Sequence, residues 1–303
     1  MGTHHFLATA TLGLFLLSNA AFAAAPKAAK DAFARGDSLR MKGDFDSAAS
    51  AYGEAIRLDP TLAEAYLGRG ITYAKKSDWH EAVVDYTEAI RIAPGNVDAF
   101  VERAFVHLAM HKPDQALADL NEAIRLAPTN VRAFVNRGIA FEQKNRFDLA
   151  IADYTEAIRL DPKNWAAYGN RGVMHFVVGQ PDKAIADHTE EIRLNPTGQH
   201  AAYGYYGRGF AHLKKRDFDK SISDLTEAIR LDPKYANAYH VRGNAFRKRG
   251  DLDKAITDYN EAIRLDPRNA FAHHNRGLAY QAKGEKVKAE EDFVRAKKLG
   301  YKE

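Results

Sequence analysis

Seven prolines, Pro60, Pro94, Pro128, Pro162, Pro196, Pro233 and Pro267, recur at intervals of 34, 34, 34, 34, 37 and 34 residues. Each closes a near-copy of one phrase, for example Tyr154-Thr155-Glu156-Ala157-Ile158-Arg159-Leu160-Asp161-Pro162. A fixed period of this length means stacked supersecondary units, because one such unit cannot bury its apolar face alone. The question of function therefore moves from an active site to the surface that the stack presents.

Eight copies tile the chain at 29–62, 63–96, 97–130, 131–164, 165–198, 202–235, 236–269 and 270–303. With each copy numbered from 1 to 34, the fourth has Phe134 at position 4, Gly138 at 8, Phe141 at 11, Ala150 at 20, Tyr154 at 24, Ala157 at 27 and Pro162 at 32. Positions 4, 8 and 11 form one stripe of a first helix, and 20, 24 and 27 one stripe of a second. Small residues let the helices approach, and the aromatics fill the remaining space. Gly43-Asp44, Ser77-Asp78 and Gly250-Asp251 mark turns between helices. The proline ends the second helix by forcing the residue before it out of the helical region. The pattern resembles the tetratricopeptide repeat over residues 29–303, which implies an all-α, right-handed α-solenoid of eight helix-turn-helix units.

Charges repeat as well. Position 7 is Arg in all eight copies, position 23 is Asp in seven (Ala51 is the exception), and position 26 is Glu in seven. Uniform charges of this kind predict a scaffold in which each Arg forks onto a carboxylate of the second helix. In the last copy Glu290 and Lys297 stand where most copies carry an aliphatic residue, the expected mark of a capped end.

The first residues differ from the rest. Phe6 to Ala25 carries no charge, and Ala21-Phe22-Ala23 matches the small-x-small cleavage pattern. We expect a secretory signal peptide over residues 1–23, cleaved after Ala23 and followed by a short linker at 24–28. A retained anchor is the alternative, since the stretch is nearly long enough to span a bilayer. The chain has no cysteine, which excludes disulfides, thiol catalysis and Cys-based zinc sites. A bacterial protein exported to the periplasm or secreted is the expectation, with no transmembrane segment after cleavage and no cofactor. Nucleic acid is not expected as a partner, because no recognition motif is present.

In the family that the repeats resemble, first helices line a concave groove through positions 2, 5, 6, 9, 12 and 13. Carried over, this gives an apolar row of Leu67, Ile71, Val101, Phe105, Leu108, Val135, Ile139, Val173, Phe176, Val177, Tyr203, Tyr206, Phe210 and Leu213. A row this long is expected to exceed what packing needs and to leave a trough for an amphipathic helix or extended peptide. Asn136, Asn170 and Asn275 stand at position 6, where the family can hydrogen-bond a peptide backbone; here Gly68, Glu102, Gly207 and Val241 interrupt the series. No three successive copies supply the family's dicarboxylate clamp.

The net charge of +4 is unevenly placed: the first three copies sum to −4, and residues 199–303 to +7. Lys214-Lys215-Arg216 and Arg247-Lys248-Arg249 form basic clusters that could meet an acidic protein or anionic polymer, or simply face solvent.

The fifth copy departs from the pattern, with His175 at position 11, His188 at 24 and Glu191 at 27. All three positions belong to the inter-helix core, so the three side chains are expected to converge. One reading is a hydrogen-bonded polar core, which we prefer because buried polar groups usually satisfy one another. The other is a metal or pH-sensing site. A three-residue insertion around Thr197–Ala201 follows, and a local bend is expected there. The sequence thus predicts a non-enzymatic interaction scaffold of the bacterial envelope. The alternative is an accessory of envelope polysaccharide synthesis or export that uses the basic edge.

Overall fold

The computed structural model describes residues 25–302. The expected signal segment, residues 1–23, lies outside the described residues. Sixteen α-helices and no strand occur among the described residues, and no helix among them is long and apolar enough to cross a membrane. The chain divides after Pro162 into two units of four helical hairpins each.

The N-terminal unit holds α1 (Lys27–Met41), α2 (Phe45–Leu58), α3 (Ala63–Lys75), α4 (Trp79–Ile92), α5 (Val97–Ala109), α6 (Pro113–Leu126), α7 (Val131–Gln143) and α8 (Phe147–Leu160). The C-terminal unit holds α9 (Trp165–Val177), α10 (Pro181–Leu194), α11 (Gly198–Lys214), α12 (Phe218–Leu231), α13 (Ala236–Arg249), α14 (Leu252–Leu265), α15 (Ala270–Ala282) and α16 (Lys286–Lys298). Odd-numbered helices are the first of each copy, even-numbered the second.

The hairpin core follows the expected stripes. Tyr52, Tyr86, Tyr154 and Tyr259 at position 24 are fully buried, as are most of the alanines at 20 and 27. Position 8 must be small, because a Cβ at Gly138 would lie 2.5 Å from the Tyr154 ring and one at Gly70 would lie 2.7 Å from Tyr86. Position 15 takes a left-handed backbone in all eight copies; Gly43, Gly179, Gly250 and Gly284 do so freely, and Ser77, His111, Asn145 and Arg216 against the preference of an L-residue. Asn96, Asn130, Asn164 and Asn269 accept from the third amide of the helix that follows.

The arginine ladder forms as the sequence predicts. Seven position-7 arginines fork onto the position-23 aspartate, as in Arg137 with Asp153 at 2.8 and 2.8 Å and Arg208 with Asp224 at 2.9 and 2.7 Å. Arg35, which faces Ala51, bonds Glu54 instead. The other position-26 glutamates, from Glu88 to Glu261, pair with the arginine three residues later on the exposed side. The third arginine nitrogen reaches the preceding copy: Arg103 to Thr87, Arg137 to Asn121, Arg242 to Thr226 and Arg276 to Asn260, at 2.7–3.0 Å. One side chain thus closes its own hairpin and ties it to its neighbour. The position-4 aromatics lie under these guanidiniums, for example Phe134 under Arg137 at 5.5 Å.

The insertion between copies five and six is absorbed into helix. It gives α11 17 residues where α5, α7 and α9 have 13.

Candidate functional site

Consecutive first helices touch one another within each unit, which builds a face from α1, α3, α5 and α7 and another from α9, α11, α13 and α15. On the N-terminal face most of the predicted apolar row is consumed in packing. Leu67, Val101, Leu108, Val135 and Ile139 are buried, and only Ile71 and Phe105 keep partial exposure. The expected open trough is therefore absent there: large side chains at positions 5 and 9 interlock between adjacent first helices. Asn136 is buried and its Oδ1 has no partner.

The C-terminal face differs. Val173, Phe176, Tyr203, Tyr206, Phe210 and Leu213 are half-buried, and Val177 is 47 % exposed. Phe176 and Phe210 meet across α9 and α11 with ring centroids 4.8 Å apart, and Tyr206 stacks on Phe210 at 6.0 Å. Tyr235 joins Tyr206 at 4.9 Å and Tyr203 at 5.2 Å. Burial pushes the Tyr206 hydroxyl up to about 12 and Tyr235 upward too, so both phenols stay neutral. Sequence reasoning missed Tyr235. Its signal was the replacement of the Asn that caps the next helix in other copies. Asn170 is buried with its Nδ2 unpaired.

Toward the chain end this face turns polar. His240 Nε2 receives Asn275 Nδ2 at 2.9 Å and Asn244 Nδ2 at 3.4 Å, so Asn275 is engaged within the protein. Burial, with the Arg247 charge second, pushes His240 down to about 4. An unfolded histidine titrates near 6.5, so its contribution to stability is intact above that pH and is lost as pH falls toward 4. Solvent reaches the half-buried ring, and we expect a loss of about 1 kcal/mol between pH 7 and pH 5. His240→Gln should remove that increment, read from urea midpoints at the two pH values.

The fifth copy corrects one expectation and refines another. His188 Nδ1 and Glu191 Oε2 form a buried hydrogen bond of 2.8 Å. His175 does not join them; its Nε2 lies 3.7 Å from Asp187 Oδ2. Position 11 faces the position-23 aspartate, and His107 (3.9 Å from Asp119) and His212 (4.0 Å from Asp224) repeat the arrangement. No group of three metal-ligating side chains forms among the described residues. Glycines make room for the dyad. A Cβ at Gly169 would lie 2.7 Å from the Glu191 carboxylate, and one at Gly207 would lie 2.5 Å from the His188 ring.

The basic edge is partly spent. Lys215 bonds Asp182 of the preceding copy, and Arg249 bonds Asp219 at 2.5 Å and Asp251. Lys76 with Asp46 and Lys144 with Asp114 show the same link between copies in the N-terminal unit, both at 2.6 Å. Arg247 is half-buried; Lys214, Arg216 and Lys248 are exposed.

Family descriptions of the tetratricopeptide repeat match residues 63–96, 102–164, 138–199, 202–235 and 225–257, and a TPR repeat description matches 36–77 and 243–284. The chain belongs to the tetratricopeptide repeat family. Members of this TPR family bind peptides or proteins, and the matches indicate no catalytic family. No curated protein matches this sequence. Among solved structures, MamA protein is 30 % identical over 56 % of this chain and 91 % of its own, with a TM-score of 0.50. A TPR protein from Parabacteroides merdae ATCC 43184 is 18 % identical over 84 % of this chain and 99 % of its own, TM-score 0.63. YrrB, described as a TPR protein with an unusual peptide-binding site, is 20 % identical over 62 % of this chain and 96 % of its own, TM-score 0.53.

Proposed function

We propose that this TPR protein is a non-enzymatic scaffold of the bacterial envelope that captures a peptide or helix of a partner protein on the first-helix face of its C-terminal unit. The observation that carries the reading is the partly exposed aromatic cluster of Phe176, Tyr206 and Phe210 on α9 and α11. Aromatic side chains with an apolar body and a polar tip dominate recognition surfaces. The peptide-binding site described for YrrB supports the same use of the fold. The uncharged N-terminal stretch ending in Ala21-Phe22-Ala23 supports export.

Photo-crosslinking in the native cell tests the reading. A crosslinker at Phe210 is expected to give one dominant protein adduct, and one at the exposed Thr257 on α14 none. Phe176→Ala should weaken capture of the adduct partner about tenfold or more. Equal labelling at Phe210 and Thr257 would sink the proposal.

A further inference from the structure

The first helices of the C-terminal unit carry no carboxylate. Neither Asp nor Glu occurs in α9, α11, α13 or α15, in a chain with 40 acidic residues. Their counterparts in the N-terminal unit hold Asp31, Asp37, Glu64, Asp98, Glu102 and Glu142. In the C-terminal unit the acidic side chains stand on second helices and in turns, and the position-23 aspartates are spent on the position-7 arginines.

The other cations of these first helices gather at one end: Lys214 on α11, and Arg247, Lys248 and Arg249 on α13. Arg249 is engaged by Asp219 and Asp251, as Lys215 just past α11 is by Asp182. Among the described residues no carboxylate pairs with Lys214, Arg247 or Lys248, and the Nε of Arg247 is buried without a partner. A helix end favours a cation in any case, but the fold does not require one there: α5, α7 and α9 end on Leu108-Ala109, Glu142-Gln143 and Phe176-Val177.

These cations adjoin the aromatic cluster. Lys214 follows Phe210 by one turn of α11 and is exposed, and Phe210 meets Phe176 at 4.8 Å. Adjacent first helices pair residues 35 apart, as Gln143 with the Leu108 carbonyl and Asn275 with His240. That register sets Lys248 beside Leu213, the chain neighbour of Lys214. An apolar patch thus runs into a positive one, with no carboxylate on the same helices to neutralise it.

We propose that this face docks a partner-protein segment whose apolar residues sit on Phe176, Tyr206 and Phe210 and whose adjoining carboxylates meet Lys214 and Lys248. Complementary charge fixes the register of the segment and excludes basic ones. The cations stand at positions 12 and 13, apart from the dicarboxylate clamp that these copies do not supply. The proposal rests on the peptide-binding reading above and adds the charge of the ligand.

Fluorescence anisotropy on the full chain tests it with three labelled peptides: leucine and alanine continued by glutamates, the same apolar part continued by lysines, and glutamate with alanine alone. Only the first is expected to bind saturably, with an affinity that falls with salt but does not vanish. Lys214→Gln with Lys248→Gln should weaken it about five-fold, the worth of two exposed ion pairs. Both lysines are exposed, so the fold stands. Lys215→Gln should leave binding as it is, because that cation is already spent on Asp182. Failure of the first peptide to bind, equal binding of the lysine-tailed one, or a loss in the double variant no greater than in Lys215→Gln overturns the site. Equal binding of the leucine-free peptide overturns it too, in favour of a bare polyanion surface. The Phe210 adduct keeps the two readings apart. If it persists, only the acidic half of the ligand fails; if it is lost too, the peptide-binding reading fails with it.

Discussion

Asp258→Ala is expected to cost about 3 kcal/mol, roughly twice the cost of Arg242→Met, although the two residues form one ion pair. The asymmetry comes from what each deletion strands. Arg242 donates from Nε and Nη2 to Asp258 at 2.8 Å each and from Nη1 to Thr226 at 3.0 Å, with its guanidinium near the Tyr239 and Phe246 rings. Without Asp258 the guanidinium stays charged, because arginine does not release its proton, and it keeps only the bond to Thr226. Without Arg242 the carboxyl has an escape. Burial already pushes Asp258 upward against the pull of Arg242, so the stranded group can take up a proton. A carboxyl whose folded pKa exceeds its unfolded value favours folding below that pKa and loses the benefit as pH rises through it. The cost of Arg242→Met should therefore shrink between pH 7 and pH 5, and that of Asp258→Ala should not shrink through this group. Urea midpoints of both variants at the two pH values check this; costs that stay equal at both would refute the argument.

The ladder was legible in the sequence because its parts recur. An Arg at position 7 of every copy and an Asp at 23 of seven can only be a scaffold device. The third arginine bond was not legible, because it needs the offset between neighbouring copies. Once Arg137 is seen to reach Asn121, the Thr or Asn at position 25 of the preceding copy explains the others. The lysine link follows the same logic: Lys215 and Arg249 read as a basic edge until the aspartates of the copy before them are placed opposite.

The face was less legible than the scaffold. Position numbers say which way a side chain points, but not how far its neighbours cover it. Val101 and Val135 share a groove position with Tyr206, yet the valines are buried and the tyrosine keeps partial exposure in its aromatic cluster. The buried Tyr86 hydroxyl, which has no hydrogen-bond partner, is a converse case. Nothing marks it at residue 86 itself; the signal is the apolar pair Ile71 and Ala74 at positions 9 and 12, where the three other copies with a tyrosine at position 24 carry an acceptor, Asp37, Glu142 and Asn244. His175 misled because it coincides with His188 and Glu191 in one copy, whereas His107 and His212 already showed that position 11 accepts histidine.

Glu191→Ala alone is expected to cost about 3–4 kcal/mol, and the double replacement His188→Phe with Glu191→Ala markedly less than that single change. The single change leaves His188, 3 % exposed, without the carboxylate that its Nδ1 contacts at 2.8 Å. The double change restores what other copies carry, since Phe293 occupies position 24 of the last copy and Ala stands at position 27 elsewhere. Phenylalanine is chosen over tyrosine because positions 9 and 12 of the fifth copy are Val173 and Phe176, which could not accept from a hydroxyl. Gly172 and Gly207 already leave room for a six-membered ring, since a Cβ at either would lie within 3.0 Å of the His188 imidazole. The recovery should be incomplete, because Gly169 and Gly204 flank the Glu191 carboxylate and would border a hollow once it is gone. A hollow of that kind leaves about 1–2 kcal/mol of the loss in place. Urea midpoints of the two singles and the double separate the pair's coupling from the cavity. Additive losses would mean that the histidine and the glutamate act independently, and that the short contact between them contributes nothing to folding.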